Sequence, residues 1–376
     1  MVCPTQAILV GDLGDPEAKV TRIVNRDVVQ VRRPEKDTRP KLFYRGAHHA
    51  TLDPLAAERP PGGMFLWSEQ SGDVVSGHPA AGNGSSGGHA AAGPNSSAAA
   101  MLAYDVAHSA PWDWRVSLYT LTKSVAAGAY LVPALLLLLG ALGDGGALWK
   151  WGAPALGAAF LGITGVLLIS DLEHPERFAL IFLRPQWRSW LVRGAFVIAG
   201  YGAVLAAHAG AAAGGRGDLM SVLRWVGIPL AAFTAAYTAY LFAQAKARDL
   251  WQSPLLPPHL VVQAVMAGAA GLLPVAAAVE PGAVRVLSTT LAAAAAAHLL
   301  LVAGELTLTH ATAHARLAVH EMTGGRFRSS FRLGIAATVA ALAAPWIGAW
   351  AAPLALAGLL AYEHAYVQAG QAVPLA

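Results

Sequence analysis

Ser117–Ala141 reads SLYTLTKSVAAGAYLVPALLLLLGA, a run of 25 residues with one charged side chain, Lys123. A helix needs about 20 mostly apolar residues to cross the hydrocarbon core, at about 1.5 Å per residue. This run is long enough. Working outward, seven more runs of the same kind follow at 148–170, 190–211, 222–245, 258–279, 284–311, 331–350 and 352–369. The 376-residue chain is 55% hydrophobic and 13% charged, whereas a soluble domain carries about a quarter charged residues. The expected fold is all-α and integral to the membrane: about eight transmembrane helices in two bundles, with a short soluble N-terminal segment.

No run before Ser117 is long enough to span. Residues 1–67 read as a soluble piece with a strand-like stretch, Val20–Val31 (VTRIVNRDVVQV). Residues 68–110 read as a linker, because the Gly, Ser and Ala that dominate 68–100 cannot build a core. The two histidines of 68–100, His78 and His89, belong with a solvated linker rather than a metal site. Residues 111–376 form the expected membrane domain. The chain start shows no basic segment followed by an apolar run, so no cleavable signal is expected. The one cysteine, Cys3, excludes an intrachain disulfide. The net charge of +4 gives no reason to expect a nucleic-acid partner, since most basic residues flank the helices.

Eight spans return the chain to its starting side. Loops on that side carry Arg177, Arg184, Arg188, Arg193, Lys246, Arg248, Arg316, Arg326, Arg328 and Arg332, ten in all. The opposite loops carry Lys150, Arg216, Arg224 and Arg285, four in all. The positive-inside bias then places the N-terminal segment and the C-terminus in the cytoplasm and the protein in the inner membrane. Glu280 falls on the opposite side, where substitution should do little.

Ionisable groups inside a membrane are costly and normally face a bundle interior. Tyr119, Lys123 and Tyr130 share one face of the first helix at spacings of four and seven. The alternative for Lys123 is a stem that snorkels to the interface. Asp171-Leu-Glu-His-Pro-Glu-Arg-Phe178 closes the second span, stopped by Pro175, at the level Lys123 reaches. Its plainer reading is a polar helix end. In the sixth span His298 and Glu305 lie seven apart on one face, the pattern of a proton relay or a buried pair. Tyr201 with His208, and Tyr237, Tyr240 and Gln244, read as interhelical hydrogen-bonding stripes.

Two stretches carry a resemblance. Tyr104-Asp-Val-Ala-His-Ser-Ala-Pro-Trp-Asp-Trp-Arg115, continuing through Leu121-Thr-Lys-Ser-Val-Ala-Ala-Gly128, resembles the approach to the first helix in the NrfD / polysulfide reductase membrane-subunit family. Asp171–Phe178, with Leu183-Arg-Pro185 and Arg188-Ser-Trp-Leu-Val-Arg-Gly194, is similar to that family's loop after the second helix. The chain departs from the family pattern at Glu173-His174, where Gly-Arg is usual. The resemblance covers roughly residues 104–370. It implies a haem-free subunit that binds menaquinone or ubiquinone and partners a four-cluster iron–sulfur protein, often with a molybdopterin catalytic subunit. Lys123, Tyr130 and Asp171, supported by His174 and Arg177, are the expected quinone-binding residues. His298 and Glu305 are the expected proton-transfer pair.

Val2-Cys3-Pro4-Thr5 resembles the end of a ferredoxin cysteine run. Lys41-Leu-Phe-Tyr-Arg-Gly46 and Ala50-Thr-Leu-Asp-Pro54 are similar to the tail of such iron–sulfur subunits. The resemblance implies a fusion in which Met1 is an internal residue of a longer frame. Cys3 then ligates a 4Fe-4S cluster only if other ligands come from another chain or a preceding segment. A haem-b cytochrome-type anchor is the main alternative. It would draw on His208, His298 and His310 facing across a bundle. A secondary transporter is the third reading, and would favour broken helices and inverted repeats.

Overall fold

The computed structural model describes residues 9–31, 39–47, 52, 112–310 and 312–373. Cys3 and the 68–100 linker lie outside the described residues. The chain divides into two units, Met1–Ala90 and Ala91–Ala376.

In the first unit, α1 (Lys19–Arg26) precedes a short antiparallel pairing of β1 (Val29–Gln30) with β2 (Tyr44–Arg45). The strand expected over Val20–Val31 is therefore mostly helix. Val20, Ile23 and Val24 recur at helical spacing, and that periodicity overrides the β-branched composition. Thr21 Oγ1 donates to Asp12 O at 2.9 Å and ties α1 to the preceding turn. Asp27 pairs with Arg26 at 2.7 Å and with Arg45 of β2 at 2.9 Å.

The second unit is all-α. Its helices are α2 (Trp114–Leu138), α3 (Ala153–Ser170, preceded by a π-turn over Leu148–Gly152), α4 (Trp190–Ala213) and α5 (Gly217–Ala243), followed by α6 (Leu256–Val279), α7 (Val284–Thr307), α8 (Ala313–Thr323), α9 (Arg328–Ala341) and α10 (Ala351–Ala372). Among the described residues, seven helical segments are long and apolar enough to cross a membrane. Helices suit that setting because every backbone group in hydrocarbon must be satisfied within the segment. The protein is a multi-pass membrane protein.

The segment expected as one span over 331–350 is broken. The 14 residues of α9 rise about 21 Å. The chain then turns through a short helix, Ala344–Ile347, and a 3-10 turn, Gly348–Trp350. Pro345 opens that short helix, and Gly348 takes φ +57°, a left-handed conformation that ends it. α9 still packs closely and antiparallel to α10. A Cβ on Gly334 would meet the Tyr362 backbone N at 2.8 Å, and one on Gly358 would meet Thr338 N at 3.0 Å.

Helices α2–α5 form one four-helix group and α6, α7, α9 and α10 the other. α2 is the pivot: its apolar window is 89% buried, against 28% for α4 and for α5. It meets α6 where Gly128 faces Gly268, and a Cβ on either would strike the other helix's backbone.

Contacts between loops sort the helix ends onto two faces. On one, the N-face, Trp112 N donates to Gln371 Oε1 (3.1 Å), Arg248 Nη1 to Val373 O (2.5 Å) and Thr312 Oγ1 to Asp249 Oδ2 (2.6 Å). On the far face, Arg224 pairs with Asp144 (2.9 Å) and Leu148 N donates to Glu280 Oε2 (2.9 Å). Glu280 thus caps the start of the second span, so it is a structural position rather than a neutral one.

Candidate functional site

Lys123 does not snorkel. Its side chain is fully buried, and Nζ donates to Ala235 O at 2.7 Å and to Thr238 Oγ1 at 2.6 Å, both on α5. It also lies 5.0 Å from the centroid of the Tyr237 ring. That ring is fixed from behind by Gly194 of α4, where any Cβ would strike it.

One turn before Lys123, Thr120 Oγ1 donates to Glu363 Oε2 of α10 at 2.8 Å. Glu363 is 4% exposed and interacts electrostatically with Lys123. Its second oxygen, Oε1, is buried and unpartnered among the described residues, as is Gln263 Oε1 of α6. Both residues line a narrow, closely packed cleft walled by Phe242, Leu256, Leu260 and Val367 and by the polar Thr120, Tyr362 and Tyr366. The cleft sits toward the N-face, since Thr120 is six residues into α2, about 9 Å along its axis. A stack of Trp112, Trp251 and Phe242, with centroids 4.7–5.2 Å apart, adjoins it.

A second polar chain starts at the same cleft. Tyr362 OH donates to Glu305 Oε2 at 3.1 Å. Glu305 Oε1 contacts His259 Nδ1 at 3.3 Å, and His259 Nε2 contacts His298 Nδ1 at 2.8 Å. His298 and Glu305 do share a face of α7, and His259 of α6 joins them. His298 Nε2 is buried and unpartnered among the described residues.

Tyr130 belongs to a different neighbourhood. It lies seven residues beyond Lys123, about 10 Å deeper. Its OH bonds His208 Nδ1 at 3.2 Å, and His208 Nε2 meets Trp149 O at 3.1 Å. Tyr201 OH donates to Ala126 O at 2.6 Å, and Gln244 Oε1 accepts from Trp190 N at 2.9 Å. These stripes form interhelical hydrogen bonds.

Asp171 caps the C-terminus of α3 at the N-face and is half-buried. Burial, together with the Asp113 carboxylate, pushes its carboxyl above the ordinary range, and Arg115 opposes the shift. Arg115 Nη1 also reaches Ser170 O at 3.4 Å. The guanidinium beside Asp171 is therefore Arg115 and not Arg177, which is exposed. His174 is exposed too and pairs with Glu176 at 3.2 Å. Among the described residues no hydrogen bond or ion pair joins Lys123 to Asp171, His174 or Arg177. Asp171, His174 and Arg177 lie at the end of α3 and in the turn after it, whereas Lys123 is buried between α2 and α5.

Glu363 and His259 were not singled out by the sequence reading. Glu363 carried a signal, a carboxylate inside the last apolar span. His259 had none, because it follows two prolines in the first turn of α6 and reads as a polar helix end.

The family model described as Polysulphide reductase, NrfD matches residues 104–356. A tetrathionate reductase subunit of Salmonella typhimurium (strain LT2) is 33% identical over 69 residues, 18% of this chain and 26% of that protein. The chain thus spans about a quarter of that relative's length.

Proposed function

The chain belongs to the polysulphide reductase NrfD family, and on that premise we propose that it passes electrons between an iron–sulfur partner and membrane quinone. The observation that carries this reading is the cleft. It combines apolar walls with two buried polar atoms, Glu363 Oε1 and Gln263 Oε1, that have spare hydrogen-bonding capacity. The hydroxyls of a quinol head group can donate to these two acceptor oxygens, and a protonated Glu363 can donate to a quinone carbonyl. A bound quinone supplies two-electron, two-proton redox chemistry. Thr120 and Glu363 set the charge and hydrogen bonding of one wall, and Lys123 acts electrostatically on Glu363 from outside the lining. In this reading Asp171 with Arg115, and the exposed His174 and Arg177, form the N-face approach to the site. Tyr130 stands apart from this site. His298 and Glu305, joined by His259, move protons.

The partners in this reading are an iron–sulfur subunit and a molybdopterin catalytic subunit. The stretch similar to a tetrathionate reductase subunit fits membership of a reductase complex, and in this reading Cys3 is one cluster ligand completed from elsewhere. The membrane is the inner one, with the N-face cytoplasmic. In the haem reading His208 is a poor ligand, because both of its ring nitrogens are engaged, with Tyr130 and with Trp149 O.

The test is binding and turnover. A short-chain naphthoquinone should bind the assembled complex and quench fluorescence from Trp251, which stacks on a cleft wall. Lys123→Met and Asp171→Asn should each lower quinone-linked electron transfer. Asp218→Asn, in an exposed far-face pair with Arg216, is the control. Near-normal electron transfer in both site variants would place the site elsewhere.

A further inference from the structure

Tyr362 and Glu363 are consecutive on α10, about 100° apart around the helix. Both line the cleft, yet each is wired to a different helix. We propose that they open two separate proton routes from this one cleft: Glu363 on the side of Thr120, and Tyr362 through Glu305 and His259 to His298. The proposal rests on the quinone reading and assigns what that reading leaves open, namely where each of the two protons goes.

The geometry separates the routes. Glu363 keeps one oxygen on Thr120 Oγ1 at 2.8 Å and leaves the other buried and free to exchange a proton with a bound oxygen. Lys123, within electrostatic range, offsets the charge of the ionised carboxylate, and its own charge is held by Ala235 O and Thr238. Tyr362 works by exchange. Its phenol oxygen accepts a proton as its own O–H proton passes to Glu305 Oε2. Glu305 Oε1 passes one proton to His259 Nδ1, and His259 Nε2 passes one to His298 Nδ1. One proton enters at Tyr362 and one arrives at His298; the charge of each intermediate group is restored, while Glu305 and His259 are left with the proton on their other atom and must reorient before the next transfer. A bound quinol brings two electrons, which leave one at a time to an iron–sulfur acceptor, and two protons, one for each route. In the reducing direction the same groups deliver protons to the cleft.

Two carboxylates on a shared wire would compete for one proton. Here Glu363 and Glu305 flank Tyr362 on different sides, and no hydrogen bond joins them among the described residues. The hydrogen bonds lead to α2 in one case, and to α7 and α6 in the other.

Redox-difference infrared spectroscopy tests this on the assembled complex with a bound short-chain naphthoquinone. The wild-type spectrum should hold a carboxyl C=O band that Glu363→Gln removes and Tyr362→Phe retains. Proton release after a single oxidation should resolve into two phases. Glu363→Gln should slow one by about 100-fold, and Tyr362→Phe the other by a similar factor. If Glu363→Gln fails to assemble, the neutral pair Lys123→Met/Glu363→Gln replaces it with the same expected loss of the band. A carboxyl band that survives removal of Glu363, or two variants that slow the same phase, overturns the two-route proposal alone. Failure of the wild type to bind the naphthoquinone overturns the quinone reading beneath it.

Discussion

Gly128 of α2 and Gly268 of α6 meet backbone to backbone, and this contact joins the two four-helix groups. A Cβ at Gly128 would strike Ala264 O, and one at Gly268 would strike the Gly128 backbone. Neither obstacle is a flexible side chain that can rotate away. Small residues let helices approach this closely in lipid, where packing drives association. Overpacking costs about 1–3 kcal/mol. Gly128→Ala and Gly268→Ala should each destabilise the detergent-solubilised protein by that order, read as a lower midpoint in thermal unfolding. Gly162→Ala is the comparison, since nothing lies within 4 Å of its added methyl. Equal midpoints for all three would refute the contact.

Lys123 and Glu363 are both buried and interact electrostatically, with no hydrogen bond between them among the described residues. Removing either leaves a buried group without its electrostatic counterpart, while removing both leaves neither. Lys123→Met and Glu363→Gln should therefore each lower stability, and the double variant should recover part of the loss. A double-mutant cycle should give a coupling of about 0.5–3 kcal/mol. Strictly additive losses would mean that the two groups are independent.

The spans were legible because lipid imposes a length on any apolar helix, and α2 through α7 follow it closely. The break after α9 depended on Pro345 and Gly348, which membrane helices tolerate when neighbours re-satisfy the backbone. Hydropathy alone could not place it. The site was half legible. Lys123 and the His298–Glu305 face stood out as ionisable groups in apolar runs. Their partners did not, because His259 lies 39 residues from His298 and Glu363 lies 243 from Thr120. Tyr130 shows the limit of helical-face reasoning. It does turn toward α5, where Gly227 leaves room for its ring, as Lys123 turns toward Thr238. A shared face says nothing about depth.

Asp171 should make stability depend on pH in a definite sense. Partial burial and the nearby Asp113 raise its carboxyl pKa in the folded protein. A raised folded value means that the native state holds the proton more tightly than the unfolded chain. Its stabilising contribution is full below the ordinary aspartate range and is lost as pH rises through the raised value. At neutral pH the ionised form is a small cost, screened by solvent because the group is half-exposed. Asp171→Asn should therefore melt at or slightly above the wild type at neutral pH, and the gap should close in acid. A variant that melts well below the wild type at neutral pH would show that the carboxylate is held by a favourable partner.

The sidedness of the membrane unit can be tested through its loops. Trp112, Arg248, Thr312 and Val373 are tied to a common N-face by the contacts among Trp112–Gln371, Arg248–Val373 and Thr312–Asp249. The loops of that face carry ten basic residues against four on the other. Lys and Arg near helix ends are retained on the cytoplasmic side, so the N-face should be cytoplasmic. The sequence has one cysteine, and Cys3→Ser gives a cysteine-free background. Arg326→Cys then marks the N-face and Asp218→Cys the far face, both at exposed positions. A membrane-impermeant maleimide added to intact cells should label the Asp218→Cys protein alone. Inverted vesicles should reverse the pattern, and detergent should make both sites reactive. Labelling of Arg326→Cys in intact cells would turn the protein over. The cleft would then open away from the cytoplasm, and an iron–sulfur partner would have to dock on the outer side.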